Sequence, residues 1–534
     1  MREEYDGIIL GTGHNSLVLQ AYMARSGLRV LSVDRAPTPG GGLTTIENPR
    51  FPGFRHNTHS FFHRALTTMP WYRDLELESH GAHYIEPHLN VALITPDGRS
   101  LEWWTELDRT IASFEAFSKK DAASLRRWVE TFQPIVEQIL IPEAQSPPRP
   151  TAKRNEVLSR SRLGRTLLEV QALSPLEFVE QEFEHDVIRA GLLFFNGLRE
   201  IDLRLKGFGH SIPALLAGRR FAQMCRGGSS SLAEALVKDI RGHGGEVATG
   251  VELQGILCRN GKAVGIALAS GETITARAFV ASGLNPQQTF LQLLDRDSVP
   301  ADVRDKAEGF RYNTLAPLFA LNLALHEPPR WRAAEEHPEL DQAFMVILGL
   351  ERFSQFGEVA AAHETGRIPE TVMWGACPTL FDPSQAPPGK HTLFMWEKVP
   401  YRLRGSSANW DSEKQGHGAR MLELLVRSAP NLGAGAVIDS FVRTPVDTEI
   451  SLPNMRDGDL LVGSFANDQV GFNRPFPGAG EYRTSVKGLY LCGGSSHPGG
   501  NITGLCGYNA ARVLASDLEL AIWWNLPEPA LELD

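Results

Sequence analysis

The sequence has few cysteines, and their positions exclude the sites that cysteines most often build. They stand at positions 225, 258, 377, 492 and 506, and no two of them form a CxxC pair. A disulfide framework or a zinc cluster requires pairs at short and regular spacing. We therefore expect a reducing compartment and no zinc site built from cysteines.

Long hydrophobic runs and a secretory leader are missing as well. The apolar stretch LAPLFALNLAL at 315–325 is interrupted by Pro317 and Asn322, and it is far shorter than the ~20 residues of a membrane-spanning helix. The opening residues MREEYD lead directly into a strand pattern, without the apolar segment of a signal peptide. We expect a cytoplasmic protein that is soluble or that touches a membrane only peripherally.

Positive charge is also in short supply. The chain of 534 residues has 63 acidic residues against 53 lysines and arginines, and its formal net charge is −10. A surface of this sign does not hold a phosphate backbone, so we exclude nucleic acid as a partner. The hydrophobic content of 42% is ample for a globular fold, and the length predicts two or more domains.

What the sequence does contain is a βαβ pattern near its start. A short apolar strand is followed by the turn GTGHNS, an amphipathic helix and a second apolar strand, RVLSV. Gly11 and Gly13 occupy two glycine positions of a dinucleotide-binding turn, and Ser16 stands at the third. Asp34 follows the second strand, where a carboxylate binds ribose hydroxyls and repels a 2′-phosphate. The pattern predicts a dinucleotide site; the alternative is a glycine turn of another α/β protein.

Two further glycine clusters predict a ligand larger than a mononucleotide. The first follows Arg35 and comprises Gly40, Gly41 and Gly42. The second lies in GLYLCGGSSHPGGN, between a buried strand and a helix that we expect to begin near Ile502. A helix N-terminus there would stabilise negative charge on a reduced flavin ring. A plain NAD-binding domain needs no such distant piece, so the clusters favour FAD.

The rest of the chain divides into a helical layer and two strand-rich regions. Residues 105–205 are charged and helical in period, which indicates an insert. Hairpin signals at 260–261 and 270–271 predict an antiparallel meander over 247–276, followed by a separate buried strand, AFVAS. Residues 301–454 mix strands with loops that are rich in proline and glycine.

The motifs taken together resemble those of a known family. The opening GTGHNSL…VLSVDRAPTPGGG, the segment RGGSSSLAEAL, the meander around GKAVGIALASGETI and the closing GLYLCGGSSHPGG are similar to the phytoene desaturase-like branch of the FAD-dependent amine oxidase superfamily. That branch includes carotenoid desaturases, carotenoid isomerases and retinol saturases. The resemblance covers both ends and the middle of the chain, and it is loose over the helical insert and 301–454.

The resemblance implies an α/β fold. A Rossmann-type FAD-binding domain would be assembled from the segments 1–75, 222–300 and 455–534. A mixed α+β substrate domain, which carries the helical insert, would comprise 76–221 and 301–454.

The resemblance also assigns residues to parts of the cofactor. On the diphosphate and adenosine side it places Gly11, Gly13, Ser16, Asp34, Arg35 and Val251. Near the flavin ring it places Gly40, Gly41, Gly42, Gly493, Gly494, Gly499, Gly500, Asn501, Ile502 and Thr503. The sequence departs from the family pattern at Ser16, at Asn501, where a glycine is frequent, and at 54–60, where FRHNTHS replaces a segment with aspartate and glycine. The last departure leaves the substrate and the reaction open.

Histidines supply the candidates for catalysis. His56, His59 and His63 are spaced three and four residues apart, which would place them on one face of a helix as in a metal site. No carboxylate pattern completes a ligand set, so we predict no metal and expect His59 to line the cavity. By the resemblance, His497 lies near the flavin and could accept a proton. The alternative is a histidine that only binds a loop.

Two other features are candidates for shaping a substrate pocket. Arg474 stands in GFNRPFPG, and Trp103 and Trp104 are adjacent. Ion pairing at the surface and ordinary core packing explain these residues equally well. The tryptophan pair in LELAIWWNLPEP, which we place on a helix end, predicts a peripheral membrane contact, a buried terminal helix or a homodimer contact.

These observations predict an FAD-dependent oxidoreductase. We expect it to form a carbon–carbon double bond in a largely apolar, isoprenoid- or carotenoid-like substrate by hydride transfer to flavin N5. The alternatives are a redox-neutral isomerase that uses reduced FAD, a flavin amine oxidase and a flavin-binding protein without catalytic activity.

Overall fold

The computed structural model describes residues 1–196, 201–218, 222–433 and 435–526. The predicted domain boundaries at 221 and 534 lie outside these ranges. The strands are β1 Glu4–Leu10, β2 Val30–Asp34, β3 Thr45–Glu47, β4 Arg55–Asn57, β5 His63–Arg64, β6 Tyr84–Ile85, β7 Leu89–Ile94, β8 Ser100–Trp104, β9 Ala222–Cys225, β10 Glu246–Thr249, β11 Leu253–Arg259, β12 Lys262–Leu268, β13 Thr273–Ser282, β14 Leu318–Leu325, β15 Met345–Leu348, β16 Met373–Ala376, β17 His391–Lys398, β18 Val437–Arg443 and β19 Leu489–Leu491.

The α-helices are α1 His14–Arg25, α2 Pro70–Asp74, α3 Leu107–Glu115, α4 Lys119–Ile135, α5 Ile141–Ala144, α6 Thr151–Ser159, α7 Arg162–Gln171, α8 Pro175–Glu182, α9 Asp186–Asn196, α10 Ser211–Ala217, α11 Ser230–Gly242, α12 Ala301–Glu308, α13 Gln355–Glu364, α14 Trp410–Ser428, α15 Pro445–Ser451 and α16 Leu505–Asp517.

The first sheet is built around a parallel core. Its strands run in the order β10-β2-β1-β13-β12-β11, and β19 pairs with β13. The neighbours β10, β2, β1, β13 and β19 are parallel, whereas β11, β12 and β13 form an antiparallel meander. The last four residues of β1 are all buried, as expected of a strand covered on both faces. Strands from three distant stretches of the chain thus share one sheet.

Two details of the strand prediction are wrong. Residues 246–249 form β10, which pairs in parallel with β2 and does not join the meander. AFVAS is not a separate strand, because it is the second half of the long strand β13. The two hairpin predictions are confirmed, since 260–261 connects β11 to β12 and 270–271 connects β12 to β13.

The second sheet runs in the order β18-β14-β17-β16-β15-β7-β8. Successive side chains of a strand point to opposite faces, so each strand contributes to two cores. On one face Trp374, Phe394 and Trp396 pack with the helical layer that begins at α3. On the other face Leu393 and Met395 belong to a core that includes residues of α14.

The C-terminal tryptophans fold back onto α1. Because α16 ends at Asp517, Trp523 and Trp524 do not lie on a helix end as predicted. Trp523 stacks on Tyr22 with ring centroids 5.2 Å apart, and Trp524 is 6% exposed. Of the three predicted roles, these contacts fit a buried terminus. Among the helices that the structure describes, none combines the length and apolar character needed to cross a membrane.

Candidate functional site

Parallel strands bring the predicted cofactor residues to one edge of the first sheet. Leu10 at the end of β1 pairs with Ser282 of β13 and with Val33 of β2, and Ser282 pairs with Leu491 of β19. The carboxyl ends of these strands therefore meet. Open α/β sheets bind ligands at that edge, and the turns that follow these strands contain the predicted glycines.

The turn after β1 leaves room for an anion at a helix N-terminus. Gly11 has a φ of 89°, which L side chains rarely adopt. Gly13 has an ordinary φ of −63°, and a Cβ atom at this position would meet no protein atom within 4 Å. Packing within the protein therefore does not require glycine at position 13, but a bound group would. The first amides of α1 have no acceptor within the helix and suit a diphosphate.

The carboxylate of Asp34 is largely engaged inside the protein. Its Oδ2 accepts hydrogen bonds from the backbone N–H and the hydroxyl of Thr12 at 2.7 and 2.8 Å. Its Oδ1 accepts one from the backbone N–H of Ala36 at 2.9 Å. A carboxylate has about four lone-pair sites. Asp34 therefore keeps capacity for one further donor, fewer than the two ribose hydroxyls that the sequence predicts.

The other two residues assigned to the adenosine side differ in their placement. The backbone N–H of Val251 donates to the carbonyl of Asp34 at 2.8 Å, so Val251 lies beside the predicted ribose site. The side chain of Arg35 donates to the carbonyl of Ile450 at 3.1 Å. The structure therefore brings Val251 to Asp34, while the Arg35 guanidinium contacts a different part of the chain.

The loop after β2 returns to the first glycine turn. The N–H of Gly40 donates to the carbonyl of Thr12 at 2.8 Å. A Cβ atom on Gly41 would lie 3.1 Å from the Cα of Gly13. The glycine cluster at 40–42 is thus in contact with the turn after β1.

Ser16 replaces the third glycine of the turn, and another glycine supplies the space that it needs. A Cβ atom on Gly283, which follows β13, would lie 2.1 Å from the Ser16 Oγ. Helix α1 and strand β13 can therefore still approach each other closely, as this turn requires. Here the glycine follows the strand, and the serine lies in the helix.

The closing glycine cluster packs against the turn after β13 and against the backbone around Leu461. A Cβ atom on Gly493 would lie 2.2 Å from the carbonyl oxygen of Gly283. A Cβ atom on Gly500 would lie 2.1 Å from the carbonyl oxygen of Leu461. Both glycines are required by close backbone contacts.

Asn501 joins this cluster to α1. Its φ of 123° is a conformation that favours glycine, which gives a physical reason for the glycine that the family often has here. Its carbonyl accepts a hydrogen bond from Nε2 of His14 at 2.9 Å. Burial lowers the pKa of His14 to about 4 against the effect of this bond, so the ring is neutral and Nε2 carries the proton.

The start of α16 differs from the prediction. The helix begins at Leu505 and not near Ile502, because Gly504 adopts a left-handed φ of 66° just before it. The carbonyl of Thr503 accepts a hydrogen bond from the indole N–H of Trp71 at 2.6 Å. Thr503 therefore anchors the turn that precedes the helix.

The turns border a cavity that we call the main cavity. We call the predicted glycines of its lining the glycine wall: Gly13, Gly41, Gly42, Gly493, Gly494 and Gly500. Gly283 lines the cavity as well. We call its aromatic residues the aromatic wall: Phe61, Phe62, Trp374 and Trp396. Of the other predicted residues, Ser16, His59, Asn501 and Ile502 also line it. The remaining predicted cofactor residues lie outside its lining: Gly11, Asp34, Arg35, Gly40, Val251, Gly499 and Thr503.

Strand alternation builds the aromatic wall. Trp374 of β16 is paired with Trp396 of β17, and Lys398, two residues further along β17, also lines the main cavity. Between them Glu397 points to the opposite face, where a carboxylate oxygen lies 2.8 Å from Nε2 of His417. The sequence prediction missed these residues. The alternation in HTLFMWEK separates the two faces of β17, but it does not show which face meets the cofactor.

Lys398 is 4% exposed, and its Nζ donates to the carbonyl of Ala316 at 3.1 Å. The carbonyl partner satisfies one of its donors. The main cavity thus has a buried cation in its lining.

The loop at 455–463 completes the main cavity, and Asp459 holds its shape from within. The buried carboxylate of Asp459 accepts backbone N–H bonds from Asn313, Leu461 and Gly463 at 2.9, 2.9 and 2.7 Å. Burial raises the pKa of Asp459, and these hydrogen bonds oppose the rise. Sequence analysis gave no signal for Asp459.

Arg474 also holds the loop at 455–463, by donating hydrogen bonds to carbonyls of that loop. The guanidinium is fully buried and donates to the carbonyls of Leu461, Val462 and Gly494 at 3.4, 3.3 and 2.9 Å. Burial lowers the pKa of Arg474 to about 10, although the nearby Asp459 opposes the effect. Arg474 therefore shapes the main cavity through backbone contacts.

Trp103 and Trp104 lie on β8, outside the lining of the main cavity. Trp103 belongs to the core beneath the helical layer. Trp104 is 5% exposed and is covered by the guanidinium of Arg109, 3.2 Å from the ring centroid. Both residues are explained by packing.

The three clustered histidines do not share a helical face. His56 lies on β4, His63 lies on β5 and His59 lies in the connection between these strands. Within the described ranges, no group of His, Cys, Asp and Glu side chains is arranged to hold a metal ion.

His59 lines the main cavity. Its Nδ1 lies 2.9 Å from the hydroxyl of Thr58, and its buried Nε2 has no hydrogen-bond partner in the described part of the chain. Burial, together with the charge of Arg443, lowers the pKa of His59 to about 3. The imidazole is therefore neutral at physiological pH.

His497 lies in a different place from the one predicted. It lines a second cavity, between the helical insert and the loop at 465–472, and does not line the main cavity. Its Nε2 donates to the carbonyl of Glu143 at 3.0 Å. Burial lowers the pKa of His497 to about 4. His497 therefore links the closing glycine cluster to α5 of the helical insert, and its catalytic role stays a prediction.

The chemistry of the residues around the main cavity suits FAD. The space beside Gly13 accepts a group that the protein itself does not fill. Two residues of the lining, Asn15 and His59, have a buried polar atom without a partner in the described structure, Oδ1 and Nε2 respectively. Buried polar atoms are usually satisfied, so these atoms are suited to a polar cofactor.

Comparison with known proteins identifies the family. Residues 92–408 match the model of the flavin containing amine oxidoreductases. Residues 9–75 match an NAD(P)-binding Rossmann-like domain.

Named relatives align over almost the whole chain. The chain is 30% identical to a limonene dehydrogenase polypeptide of Castellaniella defragrans, over 99% of this chain and 98% of the relative. It is 22% identical to a lycopene-forming phytoene desaturase of Paracoccus, over 96% and 98% of the two chains.

Solved structures share the fold. A putrescine oxidase bound to putrescine superposes with a TM-score of 0.63 at 12% identity, over 97% of this chain and 99% of the oxidase. Cyclohexylamine oxidase of Brevibacterium oxydans superposes with a TM-score of 0.60 at 15% identity, over 96% and 99%. The chain therefore belongs to the flavin-containing amine oxidoreductases, within their phytoene desaturase-like branch, and it is an FAD-dependent oxidoreductase.

Proposed function

We propose that the protein dehydrogenates a neutral and largely apolar substrate of the isoprenoid kind and so forms a carbon–carbon double bond. The observation that carries the proposal is the lining of the main cavity, in which the glycine wall is accompanied by the aromatic wall and by Leu318, Leu452 and Leu460. Apolar and aromatic linings with few polar groups suit apolar ligands. The names of the limonene dehydrogenase and phytoene desaturase relatives support this substrate class.

The charge of the cavity favours this reaction over amine oxidation. Among the described residues that line the main cavity there is no aspartate or glutamate, and Lys398 is present. An ammonium group would lose its hydration there without gaining a carboxylate partner, and the lysine would repel it. The similarity to the putrescine and cyclohexylamine oxidases supports the fold of this chain, whereas the lining of the main cavity supports a neutral substrate.

The protein's part in the reaction is to hold the two reactants and exclude water. Bound FAD supplies a hydride acceptor at N5 of its ring. The space beside Gly13 and the amides of α1 would hold the diphosphate, and Asp34 would accept from one ribose hydroxyl. The aromatic wall would keep the substrate carbon chain in a dry space against the ring.

His59 is the proton acceptor that we propose. It lines the main cavity, and its Nε2 has no hydrogen-bond partner in the described structure, so this nitrogen is placed to accept a proton from a substrate in the cavity. By contrast, Nε2 of His497 is committed to the carbonyl of Glu143.

Anaerobic titration of the FAD-loaded protein tests the proposal. We expect limonene or phytoene to bleach the absorbance of oxidised flavin and to yield a product two hydrogens lighter. We expect putrescine to leave the spectrum unchanged. Bleaching by putrescine alone would overturn the proposal in favour of amine oxidation. A product of unchanged mass, formed only after the flavin has been reduced beforehand, would overturn it in favour of isomerisation.

A further inference from the structure

The second cavity, which we call the insert cavity, is separate from the flavin site. It lies between the helical insert and the loop at 465–472, and it shares no lining residue with the main cavity. Its volume is about 700 Å³, within the range of pockets that bind drug-sized ligands. The reaction proposed above does not use it.

Most of the insert cavity is lined by apolar side chains. Ile139 and Leu140 come from the π-helical segment that joins α4 to α5, and Val157 and Leu158 come from α6. Phe465 and Phe472 approach from the loop. A lining of this kind favours a ligand with a hydrocarbon portion.

The charge of the lining is positive in a protein that is negative as a whole. The lining contains Arg149, Arg154 and Arg512 and, among acidic residues, Glu143. Arg154 is neutralised by Glu143, since its Nε and Nη2 lie 2.7 and 2.8 Å from the two carboxylate oxygens. Arg149 and Arg512 are left as two positive charges.

Arg512 is a half-buried cation without a carboxylate partner among the described residues. Its Nη1 donates to the carbonyl of Gln145 at 2.7 Å and to the hydroxyl of Ser146 at 3.2 Å. Burial lowers the pKa of Arg512, and the groups that oppose this shift are tyrosines. A partly desolvated guanidinium gains most from a bidentate anion.

The histidines of the insert cavity carry no charge that would add to that of Arg512. Burial is the main cause that lowers the pKa values of His210 and His497 to about 4. Both imidazoles are neutral at physiological pH, so they do not compete with Arg512 for an anion.

We propose that the insert cavity binds an amphipathic anion, a hydrocarbon chain with one carboxylate or phosphate head group. The head group pairs with Arg512, and the exposed Arg149 adds attraction at long range. The chain lies along the apolar side chains of α6 and the loop at 465–472. Because the insert cavity is separate from the main cavity, binding does not depend on which substrate the flavin oxidises.

Isothermal titration calorimetry of the FAD-loaded full-length protein tests the proposal, with decanoate, decyl phosphate and decan-1-ol as probes. We expect at least one of the two anions to bind tenfold or more tightly than the alcohol. Arg512→Gln should remove this preference, and Arg512→Lys should retain part of it. Arg483→Gln, which removes a guanidinium that is paired with Asp517, is the matched control and should keep it. Flavin absorbance verifies that each variant is folded.

Val157→Trp locates the site. The added ring occupies the part of the insert cavity beside α6 where the hydrocarbon chain is proposed to lie, and position 157 does not line the main cavity. It should therefore weaken binding of every probe at least tenfold and leave the flavin spectrum unchanged. The proposal is overturned if neither anion binds more tightly than the alcohol, if the preference survives Arg512→Gln, or if Val157→Trp leaves the affinities unchanged. None of these outcomes bears on dehydrogenation, which flavin bleaching measures separately.

Discussion

The glycine wall and the aromatic wall of the main cavity are built in different ways. The glycine wall consists of backbone turns at the carboxyl ends of parallel strands, and its shape depends on the absence of side chains. The aromatic wall includes large side chains that alternate along strands of the other sheet. Within the glycine wall there is a further difference. Gly500 is needed by the protein, whereas Gly13 leaves space only for a ligand.

The largest effect is expected at a glycine that the protein itself requires. Gly500→Ala places a Cβ atom 2.1 Å from the carbonyl oxygen of Leu461, so the loop at 455–463 must move. We expect the free energy of unfolding to fall by about 3 kcal/mol and FAD binding to be lost. Urea denaturation of the apoprotein measures the first effect. Gly357→Ala, at an exposed helix position with no atom near its Cβ, is the control and should not destabilise the protein.

Gly13→Ala sharpens the contrast within the glycine wall. The new methyl group meets no protein atom, so stability should be unchanged, but it occupies space beside the predicted diphosphate. We expect the Kd for FAD to rise about tenfold or more, which corresponds to ~1.4 kcal/mol. Fluorescence titration of the apoprotein with FAD measures it. Unchanged affinity would show that the diphosphate does not approach Gly13.

A change in the aromatic wall should affect the substrate and spare the cofactor. Phe62→Leu removes a ring that lines the main cavity and is not fully buried. We expect KM for the apolar substrate to rise roughly fivefold, since an aromatic contact contributes about 1 kcal/mol, while the Kd for FAD stays the same. Phe51→Leu, at a residue that is 40% exposed, is the control. A larger effect on FAD than on KM would contradict the division between the two walls.

The smallest effect is a pH-dependent loss of stability that we expect from His63. This residue directly follows Phe62 of the aromatic wall in the sequence. Burial lowers the pKa of His63 from 6.5 to about 3. The unfolded chain therefore takes up the proton first, and stability that is present above pH 6.5 is lost as the pH falls toward 3. Between pH 7.5 and 6.0 we expect a loss of about 0.8 kcal/mol from this residue. Urea denaturation at both pH values should show a smaller loss for His63→Gln. An equal loss of stability in the variant and in the unmodified protein would show that His63 does not cause this pH dependence.

Sequence reasoning located residues best where they stand in glycine-rich turns. Gly13, Gly41, Gly493 and Gly500 all come from short motifs, and at Gly493 and Gly500 a close backbone approach leaves no room for a side chain. Asn501 was identified as a departure, and the structure shows the left-handed φ behind it. The start of α16 was missed by three residues, because the position of the left-handed Gly504 is not evident from composition.

The residues that sequence reasoning missed depend on distant parts of the chain. In the sequence, Trp374 and Trp396 look like ordinary strand residues. Only the pairing of β16 with β17 shows that they lie side by side. Asp459 reads as a loop carboxylate until its partners Asn313 and Gly463 are in place. His497 was predicted near the flavin from its neighbours in the chain, but its side chain faces Glu143 of the helical insert.

The amino-acid sequence alone determined the family, the cofactor and the glycine wall, since each follows from short motifs whose backbone geometry is local. Tertiary structure alone decided which face of β17 lines the cavity, which cavity His497 joins and where Arg512 lacks a carboxylate partner. These features rest on contacts between residues that are far apart in the chain, and a side chain's surroundings arise only when the elements pack.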